Sequence, residues 1–371
     1  MSVSTASKSA NTSSRLTSGH APKWLIPVIG LAAIVLGAAA SALIGFSIAT
    51  WVLFAAIIFL IAGPLAITAI EGKRKGSDSF ARFLVYGAFL VALIPLISVL
   101  YTVLARGIPG LSGNLLFTSM NGITGVHDNK AAQGAGPVLG GIYHAVIGTL
   151  EITLLATLIS VPIGLLTAIY LVEYANGKFL GKAITFFVDV MTGIPSIVAG
   201  LFAASFFVMV TGDPSKRMGL VAAVALSVLM IPTVVRNAEE MLRIVPNELR
   251  EASYALGVRK WRTIMKVVIP TAISGIASGV TLAIARVIGE TAPILVTAGF
   301  VNSINWNAFS GWMATLPTFI YYQIMNPTSP TAAAVSETRA WAAALVLILI
   351  VMILNLIARA IAKFFAPKTG R

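Results

Sequence analysis

The sequence has no cysteine and only three histidines, His20, His127 and His144. Those absences exclude a disulfide framework, thiolate catalysis and a cysteine-ligated metal, and so few imidazoles predict no metal cofactor. Charge is scarce as well: Asp, Glu, Lys and Arg make up 11% of 371 residues, less than half the share of about 25% usual in soluble domains. No segment reads G-x-x-x-x-G-K-[ST], because Gly72-Lys73, Gly177-Lys178 and Gly181-Lys182 run on into Arg, Phe and Ala. The chain therefore lacks an ATPase loop of its own.

What is present is apolar surface. Hydrophobic residues make up 57% of the chain and the mean hydropathy is +0.92, which places most of it in lipid. A helix needs about 20 apolar residues to cross the hydrocarbon core. Eight stretches supply that length, near 24–44, 48–70, 82–105, 142–172, 183–211, 219–238, 268–296 and 340–362. The fold expected is an all-α integral membrane protein with about eight transmembrane helices. Residues 1–23 are Ser/Thr-rich and read as a disordered cytoplasmic tail, and 366–371 as a cytoplasmic tail. The first span, with its small residues Ala38 to Ala42, loosely fits a cleaved leader. The long polar lead, and the lack of a polar region after the small residues, favour a permanent helix.

A net charge of +13 raises the question of nucleic acid, but the basic residues lie in short clusters between apolar runs. They read as topology signals. With the amino terminus inside, 20 of the 26 Lys and Arg fall at interior ends, notably Lys73, Arg74 and Lys75 and the run Arg236 to Lys266. Five (Arg106, Lys130, Lys216, Arg217 and Arg339) fall in exterior loops, and Arg286 alone lies within a span. Two exterior segments, 106–141 and 297–339, exceed the length of simple connections. In the second, Phe309, Trp312, Met313, Leu316, Phe319 and Ile320 recur at helical spacing, which fits a helix lying on the outer interface or one packed against other spans.

The interior loop 236–266 concentrates charge in an otherwise apolar chain. Pro246 predicts the start of a short helix that sets Leu249, Ala252 and Leu256 on one stripe, and Gly257 predicts its end. A second short helix is expected from Val258 to Met265 before Pro270 opens the next span. Glu251-Ala252-Ser253, three residues, Gly257, nine residues, then Val267-Val268-Ile269-Pro270 resembles the coupling motif of ABC-importer permeases, with Ser253 in place of the usual Ala. The resemblance implies that Glu251, Ala252, Ser253 and Gly257 contact an ATPase subunit, within a coupling loop over 239–266.

Gly193-Ile194-Pro195-Ser196-Ile197-Val198-Ala199-Gly200 and Arg286-Val287-Ile288-Gly289-Glu290-Thr291-Ala292-Pro293 narrow the resemblance to the PstA-type permeases of phosphate-specific importers. That family implies a six-helix permease core, here 76–365, preceded by an added amino-terminal helical hairpin over 24–75. It also implies a sister permease, two ATPase subunits carrying ATP and Mg, an exterior phosphate-binding protein, and a bacterial cell membrane with the amino terminus cytoplasmic.

Intramembrane charges are costly and mark functional positions by default; here they are Glu151, Asp189, Arg286 and Glu290. Glu151 and Asp189 lie nearer span ends and read as interfacial. Arg286 and Glu290 are four apart, on one helix face, and Gly289 and Pro293 loosen the same helix. A guanidinium fork suits phosphate oxygens, so Arg286, Glu290 and Thr291 are substrate-path candidates. The alternative is an internal Arg286–Glu290 ion pair. Two other functional classes fit parts of the sequence. A secondary transporter would share the broken helices and buried charges but would not require the coupling loop. An intramembrane serine protease would use Ser112 of Gly110-Leu111-Ser112-Gly113 with His127 or His144, but that serine sits in a long exterior loop.

Overall fold

The computed structural model describes residues 21–175 and 177–365, and among them every regular element is helical. Of the expected tails over 1–23 and 366–371, residues 1–20 and 366–371 lie outside the described residues. Seven helices are long and apolar enough to cross a membrane, and a bent pair supplies a further crossing. Two compact units divide at Tyr101/Thr102.

The first unit holds α1 (Leu25–Ile44), α2 (Ile48–Glu71) and most of α3 (Lys73–Gly107). Ser47 caps α2 through a reciprocal pairing with Thr50, and the Trp51 indole donates to Ile34 O at 2.9 Å. The third span begins at Lys73, nine residues before the expected start, because Gly72 alone makes the break, at φ +93°. Lys73, Arg74 and Lys75 thus form the first turn of α3, with Lys75 paired to Glu71 at 3.1 Å, instead of a loop.

In the second unit the short helices α4 (Gly113–Phe117) and α5 (Gly125–Ala132) precede α6 (Tyr143–Ile169). Then follow α7 (Phe179–Thr192), α8 (Ser196–Thr211), α9 (Gly219–Ile244), α10 (Asn247–Ala255), α11 (Lys260–Thr263), α12 (Ile269–Val287), α13 (Ala292–Thr297), α14 (Leu316–Met325) and α15 (Ala333–Phe365). The central helix is α9. Its Leu226, Met230 and Val234 pack with Ile152 and Ala156 of α6 and Ala283 and Val287 of α12, and one turn further along Ala238 and Leu242 meet Ala168 and Ile276. Alanines such as Ala156, Ala168, Ala238 and Ala283 alternate with larger residues in these seams and let the helices approach closely.

The fifth apolar stretch is not one helix. It bends by 109° between α7 and α8, where Gly193 and Pro195 interrupt the hydrogen-bond ladder. Its two halves nevertheless cross the unit from end to end. Asp189 of α7 pairs with Arg236 in the late part of α9, whereas Ala203 and Phe207 of α8 pack on Val221 and Ala225 in its early part. The pair is therefore a broken span. At its far end, Met218 N donates to Thr297 O at 3.1 Å and Leu220 N to Ala308 O at 2.7 Å, so residues 218 and 297–308 share one end of the unit.

That end is built from the long connections. Arg339 and Asp128 form an ion pair that is 1% and 0% exposed, and Arg339 also donates to Leu139 O at 3.1 Å and Gln323 at 3.3 Å. Arg339 is therefore a buried structural cation and not only a topology signal. The amphipathic stretch resolves in favour of packing. Only Leu316–Met325 is helical there, and Met313, Leu316 and Phe319 are buried against α6 and α15 instead of facing an interface. Phe309 and Trp312 remain exposed in an irregular segment, where Asn305 donates to Ser310 O and Trp312 O.

Candidate functional site

At the opposite end of this unit lies the charged loop. Pro246, at φ −58° and ψ 141°, precedes α10, and Gly257 follows it at φ +75°, in the left-handed region that glycine enters without steric cost. Gly257 N donates to Tyr254 O at 2.9 Å and Val258 N to Ser253 O at 3.2 Å, closing the helix as expected for a glycine cap. Ser253, the departure from the usual Ala, has a specific use. Its hydroxyl bonds Thr263 at 2.8 Å inside the protein and so joins α10 to α11. Glu251 and Ala252 face solvent, and Leu249 and Leu256 are 42% and 83% exposed, so among the described residues the expected apolar stripe is left largely uncovered.

The second short helix differs from expectation. After α11 the chain makes a π-helical turn, Ile264–Val268, and continues directly into α12. The charged loop is thus a helix, a turn and the extended base of the next span. Partial desolvation, then the nearby Glu173 carboxylate, raises the Tyr254 phenol above its ordinary range.

Within the membrane region, the two motif segments meet. A side chain at Gly200 of α8 would lie 2.7 Å from Pro293 Cα, so only glycine allows the broken span to approach the break after α12 this closely. That break runs from Ile288 to Thr291, with Glu290 N donating to Val287 O at 3.1 Å. Arg286 sits in the last turn of α12 with an exposed side chain, and its polar neighbour is Thr233 Oγ1 of α9 at 3.5 Å. Glu290 and Thr291 are half-buried. Among the described residues neither Arg286 nor Glu290 belongs to an ion pair, because α12 ends at Val287 and the helical register that would stack them stops between them. The structure thus brings Arg286 to Thr233 and not to Glu290.

Sequence reasoning missed the role of α9. Thr233 and Arg236 are one turn apart on it, and Arg236 bridges Asp189 and the buried Glu239, with the latter bond at 2.9 Å. Asp189 is therefore paired across helices and not merely interfacial. Glu151 lies two turns into α6, away from its end, with one carboxyl oxygen buried and unpartnered. The protease constellation does not form. Ser112 Oγ caps α4 by accepting from Leu115 N at 3.1 Å, His127 pairs with Thr124, and His144 is buried edge-on against Phe319.

A membrane-spanning subunit with helix breaks at its centre and an exposed charged helix at one end has the parts of a transport component. The family model described as "Binding-protein-dependent transport system inner membrane component" matches residues 160–371, and the chain belongs to that family. It is accordingly a multi-pass membrane transport component and not an enzyme.

The chain is 44% identical over 308 residues to the phosphate transport system permease protein PstA 1 of Mycobacterium tuberculosis (strain ATCC 25618 / H37Rv), covering 83% of this chain and 94% of that protein. It is 36% identical over 299 residues to the phosphate transport system permease protein PstA of Yersinia pestis, covering 80% and 93%. Among solved structures, a bacterial ABC transporter involved in the import of the acidic polysaccharide alginate superimposes with a TM-score of 0.51 over 78% of this chain and 99% of that one; at 14% identity the likeness is one of fold alone.

Proposed function

We propose that this chain is a permease subunit of an ATP-driven phosphate importer, with α10 as its ATPase-contact helix and the break after Arg286 as part of the substrate path. The observation that carries the reading is the exposed Arg286 beside Thr233, unpaired among the described residues and set where the broken span and the break after α12 meet at Gly200 and Pro293. A guanidinium that no carboxylate neutralises is available to an oxyanion. The relatives' description as phosphate transport permeases supports phosphate as that oxyanion.

The path forms with a sister permease, two ATPase subunits supply the energy with ATP and Mg, and an exterior binding protein delivers substrate. The charged loop faces the cytoplasm, which sets the amino terminus inside and agrees with the bias of Lys and Arg. Glu251, Ala252 and Gly257 meet the ATPase, and Ser253 braces α10 from behind through Thr263.

Phosphate near neutral pH keeps at least one proton, and sulfate keeps none. Glu290 accepts a hydrogen bond from P–OH and repels sulfate, which makes it a selectivity group. The test is ATP-dependent uptake of phosphate and sulfate by the assembled complex in vesicles. Wild type takes up phosphate and excludes sulfate, Arg286→Gln loses uptake at normal assembly, and Glu290→Gln keeps some phosphate uptake while admitting sulfate. Unchanged selectivity in Glu290→Gln removes that residue from the filter. Equal wild-type uptake of both anions contradicts the choice of phosphate.

A further inference from the structure

We propose that the Glu173–Arg250 ion pair is the clasp through which α10 moves the transmembrane helices, making both residues positioning residues of the transport cycle. The proposal rests on the reading of α10 as the ATPase-contact helix. Its physical basis is a guanidinium whose donors reach three elements at once. Arg250 Nε and Nη2 reach Glu173 Oε1 at 3.0 and 2.9 Å. Nη2 also donates to Leu242 O at 2.9 Å, and Nη1 donates to Val245 O at 2.6 Å and Asn247 Oδ1 at 3.3 Å. Leu242 and Val245 lie at the end of α9, where the last carbonyls have no helical partner. One side chain therefore ties α10 to the end of α9 and to the base of α6, and its side chain is only 11% exposed while Glu251 and Ala252 beside it face solvent.

The seat on α6 is unusual. Glu173, 5% exposed, belongs to a π-helical turn, Tyr170–Tyr174, that continues α6. Such i→i+5 turns are rare, occur mostly as single-turn bulges inside α-helices and are frequent at functional sites. The same turn is held a second time, from α11, where Lys260 Nζ donates to Glu173 O and lies 4.8 Å from the Tyr174 ring centroid. Both arms of the charged loop thus grip one deformable turn. A displacement of α10 is delivered to α6 and α9 together, because one guanidinium is bonded to both.

A fastening that only stabilises the fold would have a different signature from a clasp that transmits motion. The measurement is phosphate transported per ATP hydrolysed by the complete complex in vesicles. Arg250→Lys keeps the charge but loses the fork. We expect Arg250→Lys and Glu173→Gln to hydrolyse ATP at close to the wild-type rate while phosphate moved per ATP falls by about tenfold, equivalent to about 1.4 kcal/mol of coupling. Lys182→Gln, an exposed cation of α7 outside the coupling loop, keeps the wild-type ratio.

An unchanged ratio in the assembled variants, or hydrolysis and uptake falling by the same factor, overturns the proposal. Should the single variants fail to assemble, Glu173→Leu with Arg250→Met removes both charges without stranding either. That double variant is expected to assemble and remain uncoupled, and recovery of the wild-type ratio would again overturn the clasp. A wild-type complex that hydrolyses ATP but moves no phosphate defeats the functional reading itself, independently of the variants.

Discussion

Two buried ion pairs sit at opposite ends of the same helical unit, and they serve different ends. Asp128–Arg339 is sealed, with Arg339 donating also to Leu139 O and Gln323, so it locks the long connections to the start of α15. Glu173–Arg250 is nearly as buried, yet it holds a short helix whose outer side is open and whose foot is a π-helical turn. One pair joins parts that have no reason to separate. The other, on the proposed reading, joins a contact helix to the spans it moves. Burial alone does not distinguish them; what each guanidinium is tied to does.

The largest effect should come from breaking the sealed pair. Arg339→Met leaves Asp128 charged and buried, which costs about 3–5 kcal/mol. The expected result is a sharp fall in folded protein, measured as detergent-stable chain on heating, with whatever complex survives transporting normally per assembled unit. A normal level of protein with defective coupling would reverse the contrast between the two ends.

An intermediate effect is expected at the open end. Gly257 is left-handed with open space around its Cβ position, so Gly257→Val strains only the backbone, by about 1–2 kcal/mol. Insertion should survive while transport and binding-protein-stimulated ATP hydrolysis are lost, and Gly257→Asn, which tolerates the same conformation, should retain both. Full transport by a normally expressed Gly257→Val chain would show that the turn plays no part in coupling.

The smallest effect concerns the first unit. Deleting residues 1–70 while keeping Lys73, Arg74 and Lys75 removes two spans and preserves the basic cluster at the start of α3. Uptake per assembled complex should be unchanged, and an assembled but inactive truncation would give the hairpin a direct role in transport.

The legible parts of this molecule were those encoded locally. Pro246, Gly257 and the spacing between them announce α10 because capping acts within a few residues. Apolar length announced the spans, but hydropathy passes over the 109° bend, which depends on Gly193 and Pro195 rather than on a loss of apolarity. Periodicity at Phe309 to Ile320 could not say whether lipid or protein would cover the apolar face, and the answer, α6 and α15, comes from elements distant in sequence.

The cross-helix partnerships were not legible either. Arg286 and Glu290 share a helical spacing, yet the helix ends between them, and the residue that meets Arg286 is Thr233, 53 positions earlier. Arg250 and Arg339 looked like topology charges because their partners, Glu173 and Asp128, lie 77 and 211 positions away. The roles of Glu251, Ala252, Arg286, Glu290 and Thr291 continue to rest on the proposed function.

The central claim is that Arg286 acts on the transported anion and is not one half of a neutralising pair. Phosphate uptake by the double variant Arg286→Gln with Glu290→Gln, in vesicles and normalised to assembled complex, tests it most directly. A neutralising pair predicts that removing both charges restores what either single change destroys. The structure, with Arg286 beside Thr233 and outside any ion pair among the described residues, predicts that the double variant assembles and remains as inactive as Arg286→Gln alone. Wild-type uptake by the double variant would contradict it.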